Sequence, residues 1–153
     1  MGKGKSDCRL LIVLGWVLVM AGCVSQPLPV GAGPDGAVPL TNTYWKLTEV
    51  AGNEVAASKT GNEAHLILRD DGVANGFSGC NAFRGEYEVI EGRNLVFSSM
   101  ASTRRACQDA DNPERALFEA MANTAGVQME DRRLRLLDTD GQPLATFEAT
   151  RQP

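Results

Sequence analysis

The feature that most constrains the fold is a recurring alternation of apolar and polar residues, in short runs separated by turn signals. In residues 44–50, Trp45 and Leu47 alternate with Lys46 and Thr48. A period of two is typical of a β-strand that buries one face. Further runs with strand character cover residues 64–69, 73–77, 85–90, 94–98, 127–130, 133–137 and 144–149. The pattern therefore predicts a sheet of short strands.

Turn signals fall between successive strands and predict hairpins. They are Asp70-Asp71-Gly72, Glu91-Gly92-Arg93 and Thr139-Asp140-Gly141. Aspartate and glycine favour tight turns, because glycine adopts a positive φ at no steric cost. Many short strands joined in this way indicate a curved antiparallel sheet that closes toward a barrel.

One segment has helical rather than strand periodicity. Asp111-Asn112-Pro113-Glu114 combines a capping asparagine with a proline at the first helical position. Apolar residues then recur at helical spacing, with Phe118 widening the stripe: Ala116, Leu117, Ala120 and Met121. We expect an α+β, mostly β fold, in which one helix packs on a small, strongly curved antiparallel sheet approaching a barrel.

The N-terminus has the order of a secretory signal. Basic residues precede an apolar run over 10–20, and small residues lead to Cys23. We interpret 1–22 as a signal peptide, 23–41 as a flexible Pro/Gly-rich tether and 42–150 as the folded domain. The apolar run is shorter than the roughly 20 residues that a membrane-spanning helix needs.

The Ala-Gly-Cys ending resembles the lipobox of bacterial lipoproteins. That resemblance implies that Cys23 becomes the N-terminus and carries acyl chains such as palmitate, which hold the protein in a membrane. Val24, in place of an aspartate, favours the outer membrane, with the domain facing the periplasm. An ordinary secretory signal followed by an incidental cysteine is the alternative.

Charge and cysteine content limit the functional classes. The chain has a net charge of −4, and it becomes more acidic once the basic signal is removed, which argues against nucleic acid as a partner. Cys80 and Cys107 are the two cysteines of the predicted domain, an even pair in an oxidising compartment. A disulfide between them would close a loop of about 28 residues and add roughly 3–4 kcal/mol of stability.

Catalytic and metal sites are weakly supported by the sequence. The segment from Gly76 to Cys80 lacks the last glycine of a G-x-S-x-G elbow. His65 is the one histidine available to activate a serine or cysteine, and it occupies a polar, solvent-facing position of its strand. No metal-ligand spacing occurs, and no cofactor is expected. A non-enzymatic protein is therefore expected, and the alternative is an envelope thiol enzyme that uses Cys80 or Cys107.

Two segments, rich in glycine and in arginine, hold the candidate contact residues. Asn81 lies in the first, and Arg104 and Arg105 lie in the second, where they could grip an anionic headgroup. Alternatively, Arg104 could pair with a carboxylate of the domain and hold the loop that carries Cys107. We take these three residues as candidate contacts with a ligand or partner.

These segments also carry a family resemblance. Ser-Gly-Cys-Asn-x-x-x-Gly-x-Tyr spans Ser78 to Tyr87, and Thr-Arg-x-Ala-Cys spans Thr103 to Cys107. Together with the preceding Trp-x-Leu strand and the following helix, they resemble the META domain of HslJ-like heat-shock envelope lipoproteins, over about 42–149. Arg105 stands where that family usually has an apolar residue.

The resemblance implies a β-rich, barrel-like fold with a helix and no established catalytic residues. Members are associated with envelope stress and with tolerance to certain antibiotics. We therefore expect a membrane-anchored, non-enzymatic domain that binds an envelope protein or a small apolar ligand. A pilot that escorts an outer-membrane protein is a variant of the same idea.

Overall fold

The computed structural model describes residues 38–56, 63–92, 94–106 and 112–152. The predicted signal peptide, Cys23, most of the predicted tether and Cys107 lie outside these residues. The statements below refer to the described part of the chain.

The described chain forms one antiparallel sheet of nine strands and one helix. The strands follow the order β6-β5-β4-β3-β1-β9-β8-β7, and β2 pairs separately with β1. The elements are β1 (Tyr44–Val50), β2 (Asn53–Glu54), β3 (His65–Leu68), β4 (Val73–Phe77), β5 (Ala82–Ile90), β6 (Asn94–Ser102), α1 (Glu114–Ala122), β7 (Gly126–Glu130), β8 (Arg133–Leu137) and β9 (Pro143–Thr150).

The alternation read from the sequence gives the buried face of the sheet. Trp45 and Leu47 of β1 and Leu66 and Leu68 of β3 are fully or almost fully buried. They join Phe147 of β9 and the apolar face of the helix in one core. Burial of apolar area on one face drives this arrangement, because every second side chain of a strand points the same way.

Tight turns set the register of the hairpins. Ala51 and Gly52 both have a positive φ, at 50° and 74°, and close a two-residue turn between β1 and β2. Glu91 and Gly92 also have a positive φ, between β5 and β6. Two positive φ values in succession match the right-handed twist of the flanking strands.

Strands β5 and β6 are longer than the sequence patterns predict. β5 begins at Ala82 rather than at residue 85, and β6 continues to Ser102 rather than to residue 98. A bulge allows this, since the register shifts at Gly85 and Ser99 has a φ of 54°. The extra residue interrupts the alternation on which the prediction relied.

Helix α1 packs as its sequence predicts and begins at Glu114, one residue later than expected, with Pro113 as its N-cap. Asn112 Oδ1 accepts a hydrogen bond of 2.9 Å from the backbone N–H of Glu114, which satisfies one free donor of the first turn. Leu117, Ala120 and Met121 are buried against the sheet. Phe118 meets Phe83 edge to face, with ring centroids 5.8 Å apart.

The sheet curls but does not close. Its two end strands, β6 and β7, are not paired by a ladder, and a single backbone hydrogen bond of 3.2 Å joins Leu95 N to Ala125 O at this seam. The predicted curved sheet approaching a barrel, with one helix packed on it, is therefore confirmed, and the sheet stays open.

Packing extends further toward the N-terminus than Asn42. Val38 and Leu40 pack against the core, and Trp45 Nε1 donates a 2.9 Å hydrogen bond to Leu40 O. The indole N–H of a buried tryptophan needs an acceptor, and the preceding segment supplies it. Residues 38–41, placed in the tether by composition, are thus in contact with the domain.

Candidate functional site

The Gly-rich segment forms a tight loop between β4 and β5. Ser78 N donates to Asn81 O at 2.8 Å, and Asn81 N donates to Ser78 Oγ at 3.2 Å, which closes the loop on itself. Gly79 has a φ of 97°, and a Cβ there would lie 3.0 Å from Pro113 Cδ. Glycine is therefore required both for the turn and for the approach of the segment that precedes the helix.

Asn81 is buried and lies at the centre of a polar cluster that reaches the surface. Its side chain is 2% exposed. Its Oδ1 accepts hydrogen bonds from Thr103 Oγ1 at 2.8 Å and from Arg105 N at 2.7 Å. Its Nδ2 lies 2.9 Å and 3.1 Å from the two carboxylate oxygens of Glu114. One amide side chain thus bridges the loop, the segment after β6 and the start of the helix.

Ser78 completes this cluster, which we call the latch: Ser78, Asn81, Thr103, Arg105 and Glu114. Ser78 is fully buried, and its Oγ donates to Glu114 Oε2 at 2.6 Å. A carboxylate in the first turn of a helix also interacts favourably with the helix dipole. The Glu114 carboxylate is therefore held by hydrogen bonds and by the helix end together.

Cys80 lies at the edge of the latch. Its Sγ is 3.9 Å from Arg105 O and 3.6 Å from Asn81 Nδ2. Arg105 precedes Cys107 by two positions, so the latch holds the chain leading to Cys107 beside Cys80. Cys107 itself lies outside the described residues, and the Cys80–Cys107 disulfide stays a prediction.

The candidate contact residues have different environments. The Asn81 amide is turned into the latch, so its contacts are within the protein. Arg104, beside the latch, and Arg105, which belongs to it, are both exposed. The backbone N–H and C=O of Arg105 take part in the latch. Sequence reasoning placed Asn81 and Arg105 near one another in function, and the structure brings them into contact.

Sequence reasoning did not identify Ser78 and Glu114 as partners. They are 36 positions apart, and hydroxyl and carboxylate residues are common at helix starts and in turns. The Asn-Pro-Glu helix start predicts an acidic residue in the first turn of the helix, but it does not predict which residue hydrogen-bonds to that carboxylate.

His65 occupies a second polar region, on the outer face of β1 and β3. Its ring stacks on Tyr44 with centroids 4.3 Å apart, and its Nδ1 is 2.9 Å from Glu63 O. Glu63 also forms an ion pair with Lys46. The ring is half-buried rather than fully solvent-facing as expected, because Tyr44 covers it. Burial lowers the pKa of His65, and the backbone and charge of Glu63 oppose this effect.

Two surface grooves lie elsewhere on the described part of the domain. The seam groove, of about 400 Å³, is lined by residues at the open seam, among them Asn94, Val127, Gln128, Asp138 and Thr139. The terminal groove, of about 350 Å³, includes Asn42, Tyr44, Arg69, Thr150 and Gln152. Both are lined by mixed polar and apolar groups.

The described residues contain no group of three or more His, Cys, Asp or Glu side chains placed to bind a metal ion. No helix in this part of the chain is both long and apolar enough to cross a bilayer.

Comparison with known proteins gives a consistent result. The family model of the META domain matches residues 38–151. The fold is similar to that of a protein from Burkholderia xenovorans solved by NMR. The two sequences are 28% identical, the match covers 83% of this chain and 98% of that one, and the TM-score is 0.57.

A second NMR structure is 23% identical, with 72% of this chain and 91% of the other covered and a TM-score of 0.58. At this identity the likeness supports the fold alone. No curated protein matches the chain.

Proposed function

The chain belongs to the META domain family, and from that membership we propose that it is a lipid-anchored, non-enzymatic binding module of the bacterial cell envelope. It supports envelope integrity under stress by binding an envelope protein or, as the second choice, a small apolar molecule. The observation that carries the proposal is that the polar groups of the latch are engaged by hydrogen bonds to one another.

The latch has the contacts of a structural element rather than of a catalytic one. Ser78 is inaccessible to solvent, and its hydroxyl is engaged by Glu114 and Asn81. A nucleophilic serine or cysteine needs a base within hydrogen-bond reach and a space for substrate beside it. His65 instead contacts Tyr44 and Glu63, neither of which belongs to the latch.

The packing of the domain favours a protein partner over a small apolar ligand. The inside of the curled sheet is filled by large side chains that are fully buried, such as Trp45, Phe147 and Leu134. An apolar ligand site needs a concave, largely apolar cavity. The two grooves described above lie at the surface and have mixed linings.

A lipid on Cys23 would position this domain near a membrane. Fifteen positions separate Cys23 from Val38, and an extended chain of that length reaches about 50 Å. Its prolines and glycines are typical of a tether that lets a domain search the space near its anchor. Outer-membrane attachment agrees with Val24.

The proposal is tested by replacing the anchor residue in the full chain. Cys23→Ala is expected to move the protein from the membrane fraction to the soluble periplasmic fraction, while its circular dichroism and thermal midpoint stay unchanged. Cys8→Ala, a cysteine within the predicted signal, is the matched control and should leave the protein on the membrane. Retention of the Cys23→Ala protein on membranes would show that the anchor is assigned wrongly.

The thiol-enzyme alternative is tested on the same material. An intact mass two hydrogens below that of the reduced protein supports a structural disulfide between Cys80 and Cys107. One reactive thiol, alkylated at neutral pH in the folded protein, would favour the enzyme instead.

A further inference from the structure

The hairpin of β5 and β6 extends past the end of β4, while Leu95 on its inner face remains in the core. β4 pairs with β5 from Phe77↔Ala82 to Val73↔Glu86, and in the described residues no strand pairs with that edge of β5 past Glu86. β5 and β6 continue to pair with each other as far as Ile90↔Asn94. Residues 87–90 and 94–97 therefore form a two-stranded extension, which we call the projecting ribbon.

The large exposed apolar side chains of the described domain are all on this ribbon. They are Val89, Ile90 and Val96, which are 44%, 43% and 37% exposed. Single exposed apolar residues are common on protein surfaces. Because side chains alternate along a strand, Ile90 and Val96 are diagonal neighbours on the face that also carries Glu86 and Glu88, whereas Val89 lies on the opposite face with Leu95. Ile90 and Val96 form a small apolar patch, and such patches mark interaction sites when polar residues surround them.

The ribbon also has backbone groups available for pairing. Tyr87 N donates to Gly72 O at 2.8 Å, so the N–H of Tyr87 points away from β6. Backbone groups alternate in direction along a strand. The N–H and C=O of Val89 therefore point to the same side, past the end of β4, where the described residues provide no strand.

Carboxylates surround the patch. Glu86, Glu88 and Glu91 are exposed along β5 and its turn, and Asp70 and Asp71 are exposed at the turn before β4. Tyr87 Oη donates to Arg69 O at 2.6 Å and Tyr87 N donates to Gly72 O at 2.8 Å, which places that turn beside the base of the ribbon. Burial raises the pKa of Tyr87, and the charges of Asp70 and Asp71 raise it further.

These carboxylates have no ion-pair partners among the described residues, where the ion pairs join Lys46 to Glu63, Arg115 to Glu119 and Arg135 to Glu130. Even when the neighbouring Arg69, Arg84 and Arg93 are counted, acidic residues outnumber basic ones in this part of the sequence.

We propose that the projecting ribbon is a docking surface for an envelope protein that presents an apolar patch bordered by lysine or arginine. The inference rests on the binding function proposed above and names its surface and the chemistry of its partner. Ile90 and Val96 supply the apolar contact, and the carboxylates supply the complementary charge.

Charge disfavours two other partners for the ribbon, an anionic lipid surface and a second copy of this chain. Anionic lipid headgroups would be repelled by the same carboxylates that surround the patch. A second copy of this chain would bring two acidic borders together, which costs free energy. A basic protein surface pairs with these groups and lets the apolar residues be buried.

The test is site-specific photocrosslinking of the full chain in cells that produce it natively. A benzoylphenylalanine is placed at Ile90 or Val96 on the ribbon. Thr139, at the seam groove, and Arg115, on the exposed face of the helix, serve as matched exposed positions. We expect one discrete protein adduct from both ribbon positions and none from the other two.

Charge reversal then tests the chemistry of the contact. Glu86→Lys with Glu88→Lys should lower the adduct yield about fivefold or more, because it removes two complementary charges. Glu49→Lys with Glu148→Lys reverses two exposed carboxylates on β1 and β9 and should leave the yield unchanged. All four positions are exposed, so both variants should keep the thermal midpoint.

Other outcomes overturn the inference. They are an adduct of twice the chain mass, adducts with lipid, and a yield that does not respond to the ribbon charges. A protein adduct from Thr139 or Arg115 alone would show that the partner binds elsewhere than on the ribbon, and it would leave the proposed binding function in place. No protein adduct at any of the four positions overturns both.

Discussion

At the scale of single residues, the Asn81 amide connects three separate segments of the chain by hydrogen bonds. It accepts from Thr103 and Arg105 and faces the Glu114 carboxylate, while its backbone closes the loop with Ser78. A buried polar group is tolerated when all of its partners are present. Removing one member leaves the others unsatisfied, so the latch responds to substitution as a unit.

Asn81→Ala is expected to lower the free energy of unfolding by about 3 kcal/mol, because it removes partners of the part-buried hydrogen bonds to the Thr103 hydroxyl, the Arg105 N–H and the Glu114 carboxylate. Asn94→Ala, an asparagine at the exposed start of β6, should change it by less than about 0.5 kcal/mol. Urea unfolding of both variants measures the difference. Equal losses would mean that the latch does not stabilise the fold.

His65 is expected to make the stability of the fold depend on pH. Burial lowers its pKa in the folded state, so the unfolded chain binds the proton more readily as pH falls below the ordinary histidine value. We therefore expect the contribution of His65 to the free energy of unfolding to be complete above about pH 6.5 and to be lost progressively at lower pH.

His65→Phe keeps an aromatic ring against Tyr44 and removes the titration. The difference in unfolding free energy between pH 7.5 and pH 5 is expected to be smaller in this variant than in the native protein. Urea titrations at the two pH values give that difference, and carboxylate effects cancel between the proteins. An unchanged or larger difference would contradict the argument.

At the scale of elements, two glycines allow the strands to pack closely. A Cβ on Gly76 of β4 would lie 2.0 Å from His65 O, and one on Gly85 of β5 would lie 2.2 Å from Met100 Sδ. The obstacle at Gly76 is the backbone of the neighbouring strand. At Gly85 the nearest obstacle is the flexible Met100 side chain, and the backbone oxygen of Ser98 follows at 2.9 Å. The two positions therefore differ in how far their surroundings can adapt.

Gly76→Ala is expected to cost about 3 kcal/mol or more of unfolding free energy, because the backbone of β3 would have to move. Gly141→Ala is the matched comparison: its φ is 77° and nothing lies within 4 Å, so only the cost of a positive φ, about 1–2 kcal/mol, applies. Thermal or urea unfolding separates the two. A smaller loss of unfolding free energy for Gly76→Ala than for Gly141→Ala would show that the backbone of β3 moves easily to accommodate the added Cβ.

At the scale of the whole molecule, the latch and the helix link the two halves of an open sheet. β1 lies between β3 and β9, and the free ends of the sheet, β6 and β7, are connected along the chain through α1. The buried residues of α1 belong to the same core as those of β1, β8 and β9. Packing rather than strand pairing therefore holds the open side of the curled sheet.

The predicted disulfide belongs to this scale, because it would tie the β4–β5 loop to the segment before the helix. Cys80→Ala and Cys107→Ala should each lower the unfolding free energy by roughly 3–4 kcal/mol. The double variant should lose little more than either single one, since both substitutions break one bond. Additive losses in urea unfolding would rule out the bond.

The sequence by itself determined the features that depend on near neighbours. The alternation around Trp45 and Leu66, the turn at Asp70-Asp71-Gly72 and the Asn112-Pro113 helix start each follow from local geometry and burial. The structure has strands, a hairpin and a helix at these places. Two separated motifs and their order were also enough to indicate the META family, which the family match confirms.

Only the tertiary structure decided which distant groups meet. Asn81 finds Thr103 22 positions away and Glu114 33 positions away, and no local pattern encodes such a pairing. The bulge that lengthens β5 and β6, the cover that Tyr44 gives His65 and the seam left open beside Leu95 have the same origin. Each depends on how curled strands fit together in three dimensions, because packing and hydrogen-bond satisfaction are settled across the whole core rather than along the chain.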